Sequence, residues 1–300
     1  MPSRLDTIRA RMTAMDDTTI DKDFIGMLYG AFGTGKTVAA MQLAQELTDG
    51  SGILYLDSAD GWVSLEGFPE LQQDVTYLPL SDAKDLAAIA DALAKRDKDF
   101  EHYDVLVVDE LSSVAGEVLE DANRSRTGVK RGDILEETVG ADYGVATQIV
   151  ASLVRTLKKT RRLHIIFIAH DREKVVNKVT VHSPQFSPLL NSEIQKLMHV
   201  TGYLSTKVVE RKGKPVYDRT IQSWPTAYVA AKNRLPELPY KANVDDWVSY
   251  IADWALSNEP LNAPNDTPEL SEDDLTNVPE DDVQDMDVEE DENGLIAVEE

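Results

Sequence analysis

The segment GAFGTGKT, residues 30–37, constrains the fold of this chain more than any other feature of its sequence. It follows the apolar run FIGMLY and precedes VAAMQLAQEL, whose apolar residues recur with helical spacing. A strand, a loop with the spacing G-x-x-x-x-G-K-T and a helix together form a phosphate-binding loop. Because glycines let the backbone wrap around an anion and turn its N–H groups inward, the segment predicts a nucleoside triphosphate site. The alternative interpretation is an ordinary glycine-rich turn.

The positions of this loop carry different parts of the predicted site. Lys36 is expected at the β- and γ-phosphates, and Thr37 is expected to place its hydroxyl on Mg²⁺. The helix that begins near Val38 directs the positive end of its dipole at the phosphates. The predicted cofactors are therefore ATP and Mg²⁺. The predicted nucleotide contacts are Gly30, Gly33, Thr34, Gly35, Lys36, Thr37 and Val38.

A second apolar strand ends in two acids within HYDVLVVDEL. Asp109, at the carboxyl end of this strand, is expected to hold the water shell of Mg²⁺. Glu110 is positioned to polarise the attacking water. The alternative is a buried strand that ends in a solvated pair of acids.

A further strand, HIIFIAHD, ends with His170. If this strand lies beside that of Asp109, the imidazole is near the γ-phosphate. There it would sense the phosphate and transmit its presence to the following chain. A hydrogen-bonded histidine at a strand end, without that role, is an equal alternative.

Strands and helices alternate along most of the chain. Such alternation, with nearly continuous apolar strands, predicts an α/β fold with a mainly parallel sheet covered on both faces. After residue 200, two β-segments joined by a turn at 213–215 predict an antiparallel extension of the sheet. The predicted strands are Phe24–Tyr29, Ile53–Asp57, Val75–Leu78, Val105–Asp109 and His164–Ala169, and the predicted helices include Ala83–Arg96 and Thr147–Lys159.

The charge is distributed very unevenly along the chain. The net charge is −24, but residues 259–300 contain 17 acidic residues and no basic residue, whereas residues 1–241 contain 34 acidic and 30 basic residues. Such a tail does not bury enough apolar surface to offset the entropy of ordering. The predicted organisation is an amphipathic helix in 1–22, an ATPase core in 23–241, an amphipathic helix in 242–257 and a disordered acidic tail in 258–300.

Two absences in the sequence limit the class of protein. The chain has no cysteine, which excludes disulfides, thiolate metal sites and a cysteine nucleophile. Its apolar runs are too short to span a bilayer. We therefore expect a cytoplasmic protein without membrane contact.

The loop, YLDSAD, VLVVDE and IIFIAH, in this order and followed by AKNRLPELP, resemble the RecA-type core over residues 24–240. More narrowly, the chain resembles phage-encoded RecA-like ATPases, the single-strand annealing and recombination proteins. This resemblance implies a DNA-stimulated ATPase that assembles on single-stranded DNA and promotes annealing or strand exchange in recombination and repair. It also implies a homo-oligomer, either a ring or a filament, in the cytoplasm of a bacterial host.

The chain departs from the RecA pattern at the residue that activates water. In that pattern a catalytic glutamate follows the second strand as D-x-E, whereas here Ala59 occupies the expected position and Asp60 follows it. Glu110 lies where AAA+ ATPases carry their catalytic glutamate. The predicted base is Glu110, with Asp60 as the second choice.

The segment AKNR supplies Lys232 and Arg234 after the last predicted β-segment. The resemblance implies that these cations cross a subunit interface and stabilise charge on the γ-phosphate of a neighbour, as an arginine finger does. An exposed basic turn is the alternative.

Two long segments are in the positions where RecA-like proteins contact single-stranded DNA. They are residues 120–144 and 171–190, both with cations among small polar residues and interleaved acids. Mobile cationic loops suit phosphate contact, and solvated surface loops are the alternative. The predicted DNA contacts are Arg124, Arg126, Lys130, Arg131, Arg172, Lys174, Lys178 and Phe186.

The acidic tail has three possible roles. In the first, the tail mimics nucleic acid and competes with DNA for the basic loops. In the second, it recruits a single-strand-binding or other replication or recombination protein. In the third, it keeps the chain soluble. The alternative function for the whole chain is an AAA+-like protein remodeller or helicase loader with a protein client. The β-segments after residue 200, where such a protein has a helical lid, count against that alternative.

Overall fold

The computed structural model describes residues 23–48, 52–160, 162–176, 178–211 and 214–257. The predicted helix in 1–22 and the predicted tail in 258–300 lie outside the described residues. Within these ranges a ten-stranded sheet is flanked by helices on both faces.

Six parallel strands form the main part of the sheet, in the order β7-β1-β5-β4-β2-β3. β5 therefore lies between β1, which leads into the glycine-rich loop, and β4, which ends at Asp109. The carboxyl ends of these strands share one edge, so the two motifs and His170 are brought together there. The strands are β1 Ile25–Gly30, β2 Ile53–Asp57, β3 Val75–Pro79, β4 Val105–Asp109, β5 His164–Val176 and β7 Val200–Arg211.

Four further strands extend the sheet in antiparallel pairings. They are β6 Val179–Pro184 beside the second half of β5, β8 Lys214–Gln222 and β9 Lys232–Asn233 beside β7, and β10 Lys241–Asn243 beside β8. The sequence-based α/β prediction, a mainly parallel sheet with an antiparallel C-terminal extension, is confirmed.

Six α-helices of ten residues or more lie within the described ranges. Several begin at side chains that accept hydrogen bonds from the free N–H groups of the first turn: Asp82 from Lys84 and Asp85, and Ser187 from Leu190. The helices are α1 Lys36–Leu47, α2 Ala83–Lys95, α3 Leu111–Thr127, α4 Gly140–Lys158, α5 Pro188–Leu197 and α6 Val244–Leu256, and two short 3₁₀ turns cover Gly61–Leu65 and Pro69–Gln72.

Each face of the sheet has its own apolar core. The core under α2, α3, α4 and α5 includes Phe167 and Phe186, whereas the core under α1 and α6 includes Met41 and Trp247. Trp247 is 1% exposed, and its indole N–H donates to Ser223 Oγ at 2.8 Å. Because both faces are covered, the central strands β1, β2 and β4 are buried along their whole length.

Two segments predicted as long loops are mostly regular structure. In 120–144 only residues 128–139 connect α3 to α4, because α4 begins at Gly140, seven residues before the predicted start. In 171–190, β5 continues into a hairpin with β6, and α5 starts at Pro188. The glycines and charges in these segments suggested irregular chain, but tertiary pairing decided otherwise.

Of the helices within the described ranges, none combines the length and the apolar character that a bilayer crossing requires.

Candidate functional site

The glycine-rich loop joins the end of β1 to the start of α1 at the carboxyl edge of the sheet. Gly33 and Gly35 have φ of 73° and 93°, a region that other residues enter at a steric cost. A methyl group on Gly35 would also lie 3.0 Å from Arg219 Cζ, and one on Gly30 would overlap the Leu204 carbonyl. The backbone therefore adopts the wrapped conformation that the sequence predicted.

Lys36 is buried within this loop, at 7% exposure. Its Nζ donates to the carbonyls of Gly30 at 3.0 Å and Ala31 at 2.9 Å. Burial lowers the pKa of the Lys36 ammonium, while Glu110 and Asp109 act in the opposite direction. A cation held by loop carbonyls at the start of a helix fits the phosphates of a nucleotide.

Thr37 and Asp109 meet directly beneath the loop. Thr37 Oγ1 donates to Asp109 Oδ2 at 2.7 Å, and the Tyr55 hydroxyl donates to the same oxygen at 2.8 Å. Burial raises the pKa of Asp109, which is 4% exposed, and the two hydroxyl donors lower it. Hydroxyl and carboxylate oxygens are the ligands and water anchors that Mg²⁺ uses in nucleotide sites, so the donor set fits this ion.

Glu110 is the next residue, and it is 2% exposed. The Asp109–Glu110 peptide bond is cis. Ser112 Oγ donates to one Glu110 carboxylate oxygen, and His170 Nε2 contacts the other. Burial raises the pKa of Glu110 to about 7, although the Ser112 hydrogen bond opposes this shift. A carboxyl group with a pKa near neutrality matches the requirement for a general base.

His170 links Glu110 to the tip of the loop. Burial, with a contribution from Lys36, lowers the pKa of His170 to about 4, so the imidazole is neutral at physiological pH. Its backbone N–H donates to Ser112 Oγ at 3.0 Å, and its ring centroid lies 3.8 Å from that of Phe32. Phe32 is 80% exposed on the loop. His170 therefore contacts both the proposed base and the phosphate loop.

Asp60, the second predicted base, lies in a turn organised by Asp57. The Asp57 carboxylate accepts hydrogen bonds from the N–H groups of Ala59, Gly61 and Trp62, each at 3.0 Å. This turn packs Gly61 against the Asp109 carboxylate. Asp60 itself is exposed, with φ of 56°. Glu110 is thus buried in the hydrogen-bond network of the site, whereas Asp60 is on its outer side.

Lys232 and Arg234 lie at the opposite edge of the sheet from the loop. Lys232 pairs with Thr201 near the start of β7, which is in register with the start of β1. The side chains of Lys232 and Arg234 donate to the carbonyls of Gln195 and Lys196 in the last turn of α5. Cations at a helix C-terminus are favoured by the helix dipole. In this chain they stabilise α5, and they face away from the phosphate loop of the same chain.

The cations of the first predicted DNA segment are in two different environments. Arg126 forms a salt bridge with Asp142 at 2.8 Å, and Arg124 donates to the Lys130 carbonyl at 2.6 Å. Both arginines belong to the last turn of α3 and hold the connection to α4. Lys130 and Arg131 are exposed in that connection.

One residue of the second predicted DNA segment, Phe186, is buried. Phe186 is 5% exposed and packs in the core under α2–α5, so the prediction that its ring stacks on a base is wrong for this conformation. Arg172 and Lys174 lie on β5, and Lys178 lies at the hairpin turn with φ of 65°.

A cavity of about 610 Å³ adjoins the hydrolysis site. Phe32 and Ser112 form its side toward the loop, and Arg172 and Gln185 form its side toward the hairpin. Residues next to Glu110 and residues of the β5–β6 hairpin therefore line the same cavity.

Several site residues were not predicted from the sequence. Ser112, Tyr55 and Phe32 contact the predicted residues directly, and the Arg219 guanidinium packs beside Gly35, with a buried Nε that has no hydrogen-bond partner among the described residues. Ser112 lies two residues after Glu110, so its proximity was a usable signal. Arg219 comes from β8, and nothing in the local sequence connects it to the loop.

These features define a P-loop nucleoside triphosphatase: a glycine-rich loop with a buried lysine, a threonine–aspartate pair and a strand inserted between the two motif strands. The family model described as the AAA domain matches residues 22–235. The chain therefore belongs to the AAA domain family, and the match supports nucleotide binding and hydrolysis. No curated protein matches the chain.

Proposed function

We propose that this protein is a DNA-stimulated ATPase of recombination and repair that assembles on single-stranded DNA and promotes annealing or strand exchange. The observation that carries this proposal is the course of β5. This strand supplies His170, which contacts Glu110, and continues directly into a hairpin with Arg172 and Lys174. One continuous strand thus joins the hydrolysis site to a surface that carries cations.

The chemistry assigned to the site is hydrolysis of the γ-phosphate of ATP. Lys36 and the N-terminus of α1 stabilise negative charge on the phosphates. Mg²⁺, when held at Thr37 and Asp109, neutralises further phosphate charge. Glu110 accepts the proton of the attacking water, and Ser112 and His170 fix the orientation of its carboxylate.

His170 is the residue through which nucleotide state reaches the hairpin. Its ring touches both Glu110 and Phe32, so a γ-phosphate in the loop changes the surroundings of its imidazole. A switch requires an element with different contacts in the two nucleotide states. We assign that function to His170 together with the hairpin that follows it.

Two surfaces are proposed to contact single-stranded DNA. The connection 128–139 exposes Lys130 and Arg131 together with Ile134, which is 93% exposed. The hairpin contributes Arg172 and Lys174. Single strands offer phosphates to cations and base faces to apolar side chains, and both kinds of group occur here.

Oligomerisation forms part of the proposal. Lys232 and Arg234 face away from the loop of their own chain, so they serve as a trans-acting pair only across an interface in a ring or filament. In that case they would exchange the α5 carbonyls for the γ-phosphate of a neighbour. The acidic tail competes with DNA or recruits another replication or recombination protein, and the expected location is the cytoplasm of a phage-infected bacterium.

The test is steady-state ATP hydrolysis with and without single-stranded DNA, with Lys36→Ala as the inactive reference. We expect stimulation by single strands, and we expect Lys130→Glu with Arg131→Glu to weaken DNA binding and to reduce the dependence of affinity on salt. Each lost phosphate contact lowers that salt slope by about one. The matched control is Lys84→Glu with Lys98→Glu, which makes the same charge change at exposed positions on and just after α2.

Equal weakening by the two charge reversals would reject these DNA surfaces. Hydrolysis that is indifferent to DNA would favour the second candidate, a remodeller with a protein client. The position of Glu110 directly after Asp109 supports that candidate. The chain after Val200 opposes it, because the described part forms β-strands and one helix rather than a helical lid.

A further inference from the structure

The β5–β6 hairpin carries a second cluster of chemically active side chains. Asp171 and Glu173 alternate along β5 and therefore share a face, and His182 on β6 is directly opposite Glu173 in the register. One ligand atom from each of the three residues lies within 4.8 Å of the others. We propose that Asp171, Glu173 and His182 bind a divalent transition-metal ion, separate from the Mg²⁺ of the nucleotide.

The buried carboxylate of Asp171 is the main evidence. Its side chain is 2% exposed, and Oδ2 lies 2.6 Å from His182 Nδ1. Its other oxygen, Oδ1, is also buried but has no hydrogen-bond partner among the described residues. An unsatisfied buried carboxylate oxygen is costly, and a cation is a group that would satisfy it.

The dimensions of the cluster suit one metal ion. Oxygen and nitrogen ligands about 2.1 Å from a common ion lie about 3 to 4 Å from one another. Separations of at most 4.8 Å exceed this range by no more than about 1 Å. Glu173 is exposed, and its side chain forms no hydrogen bond or salt bridge with the described residues, so its carboxylate is able to move.

The ligand types define the class of ion. Two carboxylates with one imidazole suit Mn²⁺ or Zn²⁺, whereas Mg²⁺ prefers oxygen ligands with strict octahedral geometry. The surroundings hold the imidazole in place: the Tyr203 hydroxyl lies 3.1 Å from His182 Nδ1, and the two rings stack with centroids 4.8 Å apart. The Tyr203 hydroxyl and ring therefore fix the orientation of the His182 imidazole.

The location of the cluster gives the ion a structural consequence. Asp171 directly follows His170, which contacts Glu110. A metal ion that joins β5 to β6 at this point would hold the base of the hairpin beside the hydrolysis site. This inference is independent of whether the hairpin binds DNA, because it concerns only the three side chains.

The test is a titration of the full-length, EDTA-treated protein with Mn²⁺, without nucleotide and at physiological salt. Electron paramagnetic resonance measures the bound Mn²⁺. We expect saturable binding that Zn²⁺ displaces, above the weak background of the acidic tail, which all variants share. Asp171→Asn, His182→Gln and Glu173→Gln should each weaken this binding by more than about tenfold, because loss of even an outer contact costs 10–100-fold in affinity.

Glu101→Gln is the control, since it removes a carboxylate at an exposed position outside the cluster and outside the nucleotide site and should leave Mn²⁺ binding unchanged. A misfolded variant is least expected with Glu173→Gln, because the Glu173 side chain is exposed and its replacement removes no hydrogen bond or salt bridge within the described residues. Binding that is equal in wild type and Glu173→Gln, or no binding above the background of the tail, would overturn the proposal.

Discussion

Replacement of Glu110 by glutamine tests the assignment of the catalytic base most directly. Glutamine keeps the size of the side chain and still accepts the Ser112 hydrogen bond, but it does not take a proton from water. Loss of a general base lowers a rate by about 10²–10⁴. We therefore expect the turnover number of Glu110→Gln to fall by that factor at pH 8, with ATP affinity changed only a few-fold.

The same variant should be more stable than the wild type at high pH. Burial raises the pKa of Glu110 from its ordinary 4.5 to about 7. A raised pKa means that the ionised form of Glu110 is disfavoured in the folded protein. The neutral carboxyl therefore contributes its full share of the folding stability below pH 4.5, and this share is lost as the pH rises through 7. The shift corresponds to about 3 kcal/mol at pH 8, because one pKa unit is about 1.4 kcal/mol. Glutamine avoids this cost.

Two assays on the purified full-length protein check these statements. Phosphate release against pH should show the wild-type rate falling about tenfold for each unit below pH 7, as the base becomes protonated. Denaturant unfolding without nucleotide should give Glu110→Gln a higher free energy of unfolding at pH 8 than the wild type, with the difference shrinking toward pH 4.5.

Retention of more than about a tenth of the wild-type rate by Glu110→Gln would refute the assignment of the base. Asp60→Asn should then be assayed, because Asp60 is the other candidate base. Since the Asp60 side chain is exposed, we expect no change in stability from this replacement. A stability difference that is the same at pH 8 and pH 4.5 would refute the explanation from burial, whatever the rate.

Two further predictions concern packing and backbone. Trp247→Ala should lower the free energy of unfolding by about 3–5 kcal/mol, measured by denaturant titration, because it empties a fully buried site and leaves Ser223 without its indole donor. Trp247→Phe should lower the free energy of unfolding by less than Trp247→Ala does. An equal decrease in the two variants would contradict the role of ring volume. Gly35→Ala should weaken nucleotide binding in a fluorescent-nucleotide titration and destabilise the loop by about 1–2 kcal/mol, because φ is 93° and Arg219 lies against that position. Gly67→Ala, a glycine with open space around it, is the control and should leave binding unchanged.

The sequence was sufficient for the elements whose signals are local. The glycine spacing, the apolar strands and the acids at their ends predicted the loop, the parallel sheet and the position of Asp109 and Glu110 at the end of a strand. These signals are reliable because a phosphate loop requires particular φ angles and a buried parallel strand requires apolar residues on both faces. Thr37 followed from the loop motif and Asp109 from the end of its strand, whereas the position of His170 depended on its strand lying beside that of Asp109, which the structure shows.

Contacts between distant segments were decided only by the tertiary structure. Phe186 reads as an exposed aromatic residue in a polar segment, yet packing against α2–α5 buries it. Arg126 reads as a free cation, yet Asp142 from the next helix binds it. Arg219 reaches Gly35, and His182 reaches Asp171, through strand pairings that no local pattern specifies. Sequence patterns encode backbone conformation and burial, whereas the partner of each charged side chain depends on which elements pack together, and that is a property of the whole fold.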